Sequence, residues 1–240
     1  MFPIAVWRAA GCGLTGFLAL AGAAQPVIVV DTFEQAQGPV VLNAAPGSVG
    51  SFQDGAGILQ TERNIRVSGS SVAGGPISAT VAGGQLTGTR PAGSLGEVDL
   101  WWDGNNNTES FSPTGLGGVN LTAGGNTGFA IQTVSSTSTS LELQLVVWTD
   151  GSNTSRVLFT LPAGAAILEI PFTDFEVFSG TGANFASVGA IYLYTSNNSG
   201  AWTFTLTDIR LEQLSTIFLG SFESNDFCGW SAVVGGAPCI

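Results

Sequence analysis

Between clusters of Gly, Ser, Thr and Asn, the chain carries short runs in which apolar and polar side chains alternate. The clusters recur roughly every 8 to 12 residues, and the runs are rich in β-branched and aromatic types, the pattern of an all-β sandwich. The best runs are VIVVDTF (27–33), RNIRVSG (63–69), EVDLWWD (97–103), GFAIQTV (128–134) and LELQLVVW (141–148). RVLFTL (156–161), AILEIPF (166–172), GAIYLYT (189–195) and WTFTLTDIRL (202–211) follow. No run has a capped helical period, so at most a short helical turn is expected near Phe172 to Phe178.

The last run breaks its own alternation. Trp202, Phe204 and Leu206 share one face, and strict alternation would add Asp208 and Arg210 to it while Ile209 and Leu211 change sides. Either a bulge near Thr207 restores the parity or the strand leaves the core there. A buried carboxylate needs a partner, and Arg210 is the local candidate for Asp208.

Two other runs place aromatics among polar groups. In 97–103, Glu97, Asp99, Trp101 and Asp103 alternate with Val98, Leu100 and Trp102; in 141–148, Glu142, Gln144, Val146 and Trp148 alternate with a row of aliphatics. Both Trp101 and Trp148 therefore fall on the side that patterning assigns to solvent, and Tyr192 and Tyr194 form a comparable row in 189–195. Sugar rings stack their C–H faces on such aromatics while carboxylates and amides meet the hydroxyls. The other reading is that these rings fill the space beneath a crossing loop or the C-terminal tail.

Composition narrows the chemistry. The chain has no histidine, its six basic residues are all arginines, and its net charge is −11. Without a basic stripe a nucleic-acid partner is excluded, and without His or Lys so are Ser-His-Asp, Cys-His and Schiff-base catalysis. Paired carboxylates, the machinery of glycoside hydrolysis, remain. Glu97 and Asp99, about 7 Å apart on one strand face, resemble the start of the laminarinase-type motif. Trp101 and Trp102 stand where that motif has its second glutamate, so the expectation is a non-catalytic protein.

The ends of the chain differ from the middle. Residues 1–24 have one positive charge at Arg8, an apolar run from Leu14 to Ala21 and small residues at Ala21, Ala23 and Ala24. That is the layout of a secretory signal peptide, which predicts export, to the medium or the cell surface, of a mature chain starting near Gln25. A lipoprotein reading rests on Ala9-Ala10-Gly11-Cys12, which resembles a lipobox, but is the weaker alternative because the apolar run follows the cysteine instead of preceding it. No later run is long and apolar enough for a transmembrane segment. Residues 25–213 form the predicted sandwich domain and 214–240 a tail, where Cys228 and Cys239 would pair in an oxidising compartment. Within the tail, Phe222-Glu223-Ser224 and Trp230-Ser231 resemble a short C-terminal element of exported proteins of Gram-negative bacteria, which implies sorting or anchoring.

A wider resemblance rests on four stretches. DTFEQ closes the first run, PFTDF precedes VGAIYLY, and the last run reads LTDIRL. Together these resemble the jelly-roll domains of galactose-binding-like and carbohydrate-binding modules, and ERNIRV and GLGGVNLTAGGNTGFAI are similar to exported bacterial sandwich proteins with anchoring tails. The resemblance implies an antiparallel β-sandwich of jelly-roll topology. It also implies a structural calcium held by Asp31, Glu34 and Asp208, calcium being an ion that gathers six to eight oxygens. Two function classes follow. One is a glycan-binding module using Trp101, Asp99, Glu97, Trp148, Glu142, Gln144, Tyr192 and Tyr194; the other is a structural or adhesive surface protein whose tail carries its role.

Overall fold

A computed structural model describes residues 27–137, 141–196 and 200–214; the predicted signal peptide, tail and Cys228–Cys239 pair lie outside the described residues. Among the described residues fourteen strands, numbered in chain order, form two antiparallel sheets. The first sheet runs β11 (Ala166–Pro171), β8 (Gly128–Ser136), β14 (Trp202–Glu212), β6 (Gln85–Arg90), β5 (Ile77–Ala82) and β2 (Gln37–Leu42), with β1 (Ile28–Asp31) also paired to β14. The second runs β12 (Glu176–Ser179), β10 (Thr154–Thr160), β9 (Glu142–Trp148), β13 (Ala190–Ser196), β7 (Ser94–Trp102), β4 (Glu62–Val72) and β3 (Gly47–Asp54). From β7 onward the chain crosses repeatedly from one sheet to the other, which makes this an antiparallel β-sandwich of jelly-roll type.

All nine predicted runs are strands. The helical turn expected after residue 171 is a 3-10 turn over Phe172–Asp174, and no α-helix occurs among the described residues. Among the described residues no helix is long and apolar enough to cross a membrane.

The inner face of the second sheet is the apolar row of each run: Val98, Leu100 and Trp102 from β7, Leu143, Leu145 and Val147 from β9, all buried. They meet Phe129, Ile131, Phe204, Leu206, Ile209 and Leu211 of the first sheet. Close packing sets local sequence too: a Cβ at Gly88 would stand 2.6 Å from the Phe204 ring, so only glycine fits opposite that phenylalanine.

The parity question in β14 is answered by a bulge. Leu206 pairs with Thr133 and Asp208 with Gln132, leaving Thr207 as the extra residue. Ile209 and Leu211 thereby stay in the core at 0 % exposure, and Asp208 and Arg210 turn outward, where they form an ion pair. Arg210 also reaches Glu212.

Asp31 points the other way. It is fully buried and accepts from Arg63 Nη1 at 2.9 Å, from Trp102 Nε1 at 2.9 Å and from the Phe33 N–H at 2.8 Å. Arg63 also donates to Gln37 Oε1 at 2.7 Å and to the Gln35 carbonyl at 2.7 Å. Burial pushes the Asp31 carboxyl above its ordinary range and the Arg63 guanidinium below, and the attraction between them opposes both shifts. This network ties β1 of one sheet to β4 and β7 of the other.

The expected calcium trio is therefore not assembled. Asp31 faces the interior and is committed to Arg63 and Trp102, Asp208 lies on the outer face with Arg210, and Glu34 is exposed. Among the described residues no group of three or more acidic, histidine or cysteine side chains could hold a metal.

Candidate functional site

The outer face of the second sheet collects the polar rows of four strands, β4, β7, β13 and β9. Cross-strand register puts Asn64, Trp101, Tyr192 and Val146 in one line, and Arg66, Asp99, Tyr194 and Gln144 in the next. Ser68 and Glu97 continue a third line, and Glu142 and Trp148 lie at opposite ends of β9. All eight residues singled out in the sequence, Glu97, Asp99, Trp101, Glu142, Gln144, Trp148, Tyr192 and Tyr194, thus share one face, because period-two alternation in three paired strands cannot place them otherwise.

The side chains are locked to one another. Arg66 Nε donates to Asp99 Oδ2 at 2.8 Å and Arg66 Nη2 to Tyr192 Oη at 2.8 Å. Its guanidinium also sits 5.5 Å from the Trp101 ring centroid, a cation–π contact. Trp101 stacks on Tyr192 with centroids 5.7 Å apart and planes at 5°. Tyr194 Oη donates to Gln144 Oε1 at 2.5 Å, and Ser68 Oγ to Glu97 Oε1 at 3.1 Å.

Burial, reinforced by the nearby Glu97 charge, pushes the Asp99 carboxyl up to about 6 against the pull of Arg66. The Tyr192 phenol is pushed above its ordinary value by the same burial and by Asp99.

One expectation needs correction. Trp101 lies on the predicted face but is only 2 % exposed, so it is no free platform. Tyr192 and the Arg66 guanidinium lie against its ring, and Phe111, from the segment 104–115, packs edge-on against Trp148 at 5.3 Å and against Tyr192 at 5.5 Å. Trp148, Tyr192 and Tyr194 are half-buried, as are Glu97 and Glu142. Phe111 of the crossing loop thus covers the rings of Trp148 and Tyr192, while Asp99 and Gln144 are as buried as Trp101 and Tyr194 and Glu97 keep partial exposure.

Sequence reasoning missed the residues that build this cover. Glu62, 0 % exposed, accepts the N–H groups of Asn106 at 3.1 Å and Asn107 at 2.7 Å. Asp103, also 0 % exposed, accepts the Ser112 N–H at 2.5 Å, and Asn64 Nδ2 bridges to Glu62 Oε1 at 3.0 Å. Burial, with Glu62 adding to it, lifts the Asp103 carboxyl to about 6 although the Ser112 bond opposes the shift. Arg66 was legible: in RNIRVSG it shares a polar row with Asn64 and Ser68, opposite Ile65 and Val67. Phe111 was not, because nothing local records where its loop lands.

No protein-family model matches the chain, and no curated protein matches it. Among solved structures, similarity is found to the family 11 carbohydrate-binding module of the cellulosomal cellulase Lic26A-Cel5E of Clostridium thermocellum. Identity is 12 %, with 79 % of this chain and 95 % of that chain covered and a TM-score of 0.39. A Clostridium thermocellum family 11 module in complex with a β-1,3-1,4-mixed-linked tetrasaccharide matches at 12 % identity over 79 % of this chain and 96 % of that one, with a TM-score of 0.38. An exo-β-agarase matches at 11 % identity over 78 % of this chain and 25 % of the enzyme, with a TM-score of 0.36.

Proposed function

We propose that this is an exported, non-catalytic module that binds a glycan on the outer face of its second sheet. The observation that carries the reading is the convergence of Tyr192, Tyr194 and Trp148 with Glu97, Asp99, Glu142, Gln144 and Arg66 on that single face. Aromatic faces and bidentate polar groups at strand spacing are what successive sugar units require: apolar contact for ring C–H groups and both donors and acceptors for hydroxyls.

Binding rather than hydrolysis is favoured by the state of the acids. A glycosidase needs a carboxylic acid that can reach the glycosidic oxygen and a second carboxylate across the ring. Asp99 and Asp103, the acids raised to about 6, are 1 % and 0 % exposed, the first held by Arg66 and the second by the Ser112 N–H.

The reading is tested by retention of the protein on a panel of soluble and insoluble polysaccharides, with Tyr194→Ala as the site variant. The second reading, a structural or adhesive surface protein anchored through residues 214–240, would be favoured by no retention together with surface display that depends on the tail.

A further inference from the structure

Residues 104–115 leave β7 and return at a neck where two glycines lie backbone to backbone. A Cβ on Gly115 would stand 1.7 Å from the Asp103 carbonyl oxygen, and Gly104 holds φ at +86°. An irregular span whose ends meet in this way is an Ω-loop. Its main chain is held by side chains: Glu62 takes the N–H groups of Asn106 and Asn107, and Asp103 takes that of Ser112. Among the described residues, backbone pairing with the sheet resumes only where the Leu116 N–H meets the Gly189 carbonyl at 2.8 Å. Two carboxylates and the ring of Phe111 thus fasten the loop, in place of a ladder.

The surface around and beneath it is unfinished. Trp101 Nε1, Trp148 Nε1 and Gln144 Nε2 are buried donors with no acceptor. They surround Tyr192 in register: Trp101 stands opposite it on β7, and Gln144 and Trp148 flank Val146, its partner on β9. Trp101 is 2 % and Gln144 3 % exposed, so the protein itself leaves these N–H groups unmet inside its structure. Buried donors are ordinarily paired, and three without acceptors on one patch mark a surface that is completed by something else.

Building on the glycan-binding reading, we propose that loop 104–115 is a lid over the aromatic half of the site. Lifting it carries Phe111 off Tyr192 and Trp148 and offers the Trp101, Trp148 and Gln144 N–H groups to the hydroxyl and ring oxygens of a sugar. Glu62 and Asp103 form the main latch: the bonds they accept, together with that of Asn105 Nδ2 to Thr61 Oγ1 at 3.0 Å, must break for the lid to move.

Hydrogen exchange in the full chain, resolved by amide, tests the lid without any ligand. The amides of Asn106, Asn107 and Ser112 are expected to exchange about 100-fold faster than the hydrogen-bonded amides of β7 and β9, because they open locally. Phe111→Ala should at least double the quenching of tryptophan fluorescence by acrylamide with the far-ultraviolet circular dichroism unchanged; Glu62→Gln, which keeps the shape but weakens the acceptor, gives a second route to the same readout. Exchange of the three amides at the rate of the strands, or quenching unchanged in both variants, overturns the lid.

With any polysaccharide that retains the protein, Phe111→Ala should bind about tenfold tighter, because the population of the open state rises; weaker binding would make Phe111 a sugar contact and overturn the lid. A mobile loop with no retained polysaccharide contradicts the glycan reading alone. A retained polysaccharide over a rigid loop contradicts the lid alone.

Discussion

Trp101 lies flat against Tyr192, its ring plane 5° from that of the tyrosine and its centroid 5.7 Å away, while Arg66 covers it and only 2 % of it is exposed. A residue so enclosed contributes first to stability. Trp101→Ala should cost about 3–5 kcal/mol, the range for emptying a buried aromatic site. Denaturant unfolding measures it, and a loss below about 1 kcal/mol would show that the ring is not packed as described.

Tyr194 is the contrasting case. It is half-buried, keeps part of its surface exposed on the outer face and is bonded through its hydroxyl to Gln144. Tyr194→Phe should leave the midpoint of unfolding within about 1 kcal/mol of the parent, the net worth of one hydrogen bond, whereas Tyr194→Ala should remove glycan retention. Equal retention by parent and Tyr194→Ala would move the site elsewhere.

The Asp31–Arg63 pair is sealed inside the sandwich, with both side chains at 0 % exposure. Removing one partner strands the other charge, so Arg63→Met should destabilise by about 3–5 kcal/mol. The outward pair of Asp208 and Arg210 is partly solvated, and Asp208→Ala should cost about 1 kcal/mol or less. Parallel urea titrations of the two variants check the contrast, which fails if their costs are equal.

Acidity should stabilise the protein. Asp99 and Asp103 are both raised to about 6 by burial, above the value of about 4 for an unfolded aspartate. Between those values the folded chain holds protons that the unfolded chain has released, so stability falls as pH rises through the window, and the penalty is complete above it. The melting temperature should therefore be higher at pH 5 than at pH 7.5, with Asp99→Asn and Asp103→Asn each flattening the profile. A melting temperature that rises with pH over this range contradicts the assignment.

What the sequence revealed follows from what is local. Alternation in EVDLWWD, LELQLVVW and GAIYLYT placed eight candidate residues on one face, because in a strand the side of each residue depends only on its parity. The bulge at Thr207 was legible for the same reason, as a break in that parity. The cover over Trp148 and Tyr192 was not, since it comes from Phe111 of a loop held by Glu62, more than forty positions away from the amides it binds. The expected grouping of Asp31 with Asp208 missed a comparable point: the two lie on neighbouring strands, but bulges in both β1 and β14 leave one facing Arg63 inside and the other facing Arg210 outside. β2, β3, β5, β6 and β12 escaped notice, being short or rich in Gly, Ser and Thr, types that sequence reading assigns to turns.

The most direct test of the account is depletion of the full-length protein from solution by a panel of polysaccharides, run beside Tyr194→Ala. The account predicts retention by at least one class of glycan, lost in the variant while its melting temperature stays near that of the parent. No retention across the panel, or retention that Tyr194→Ala leaves intact, would contradict it.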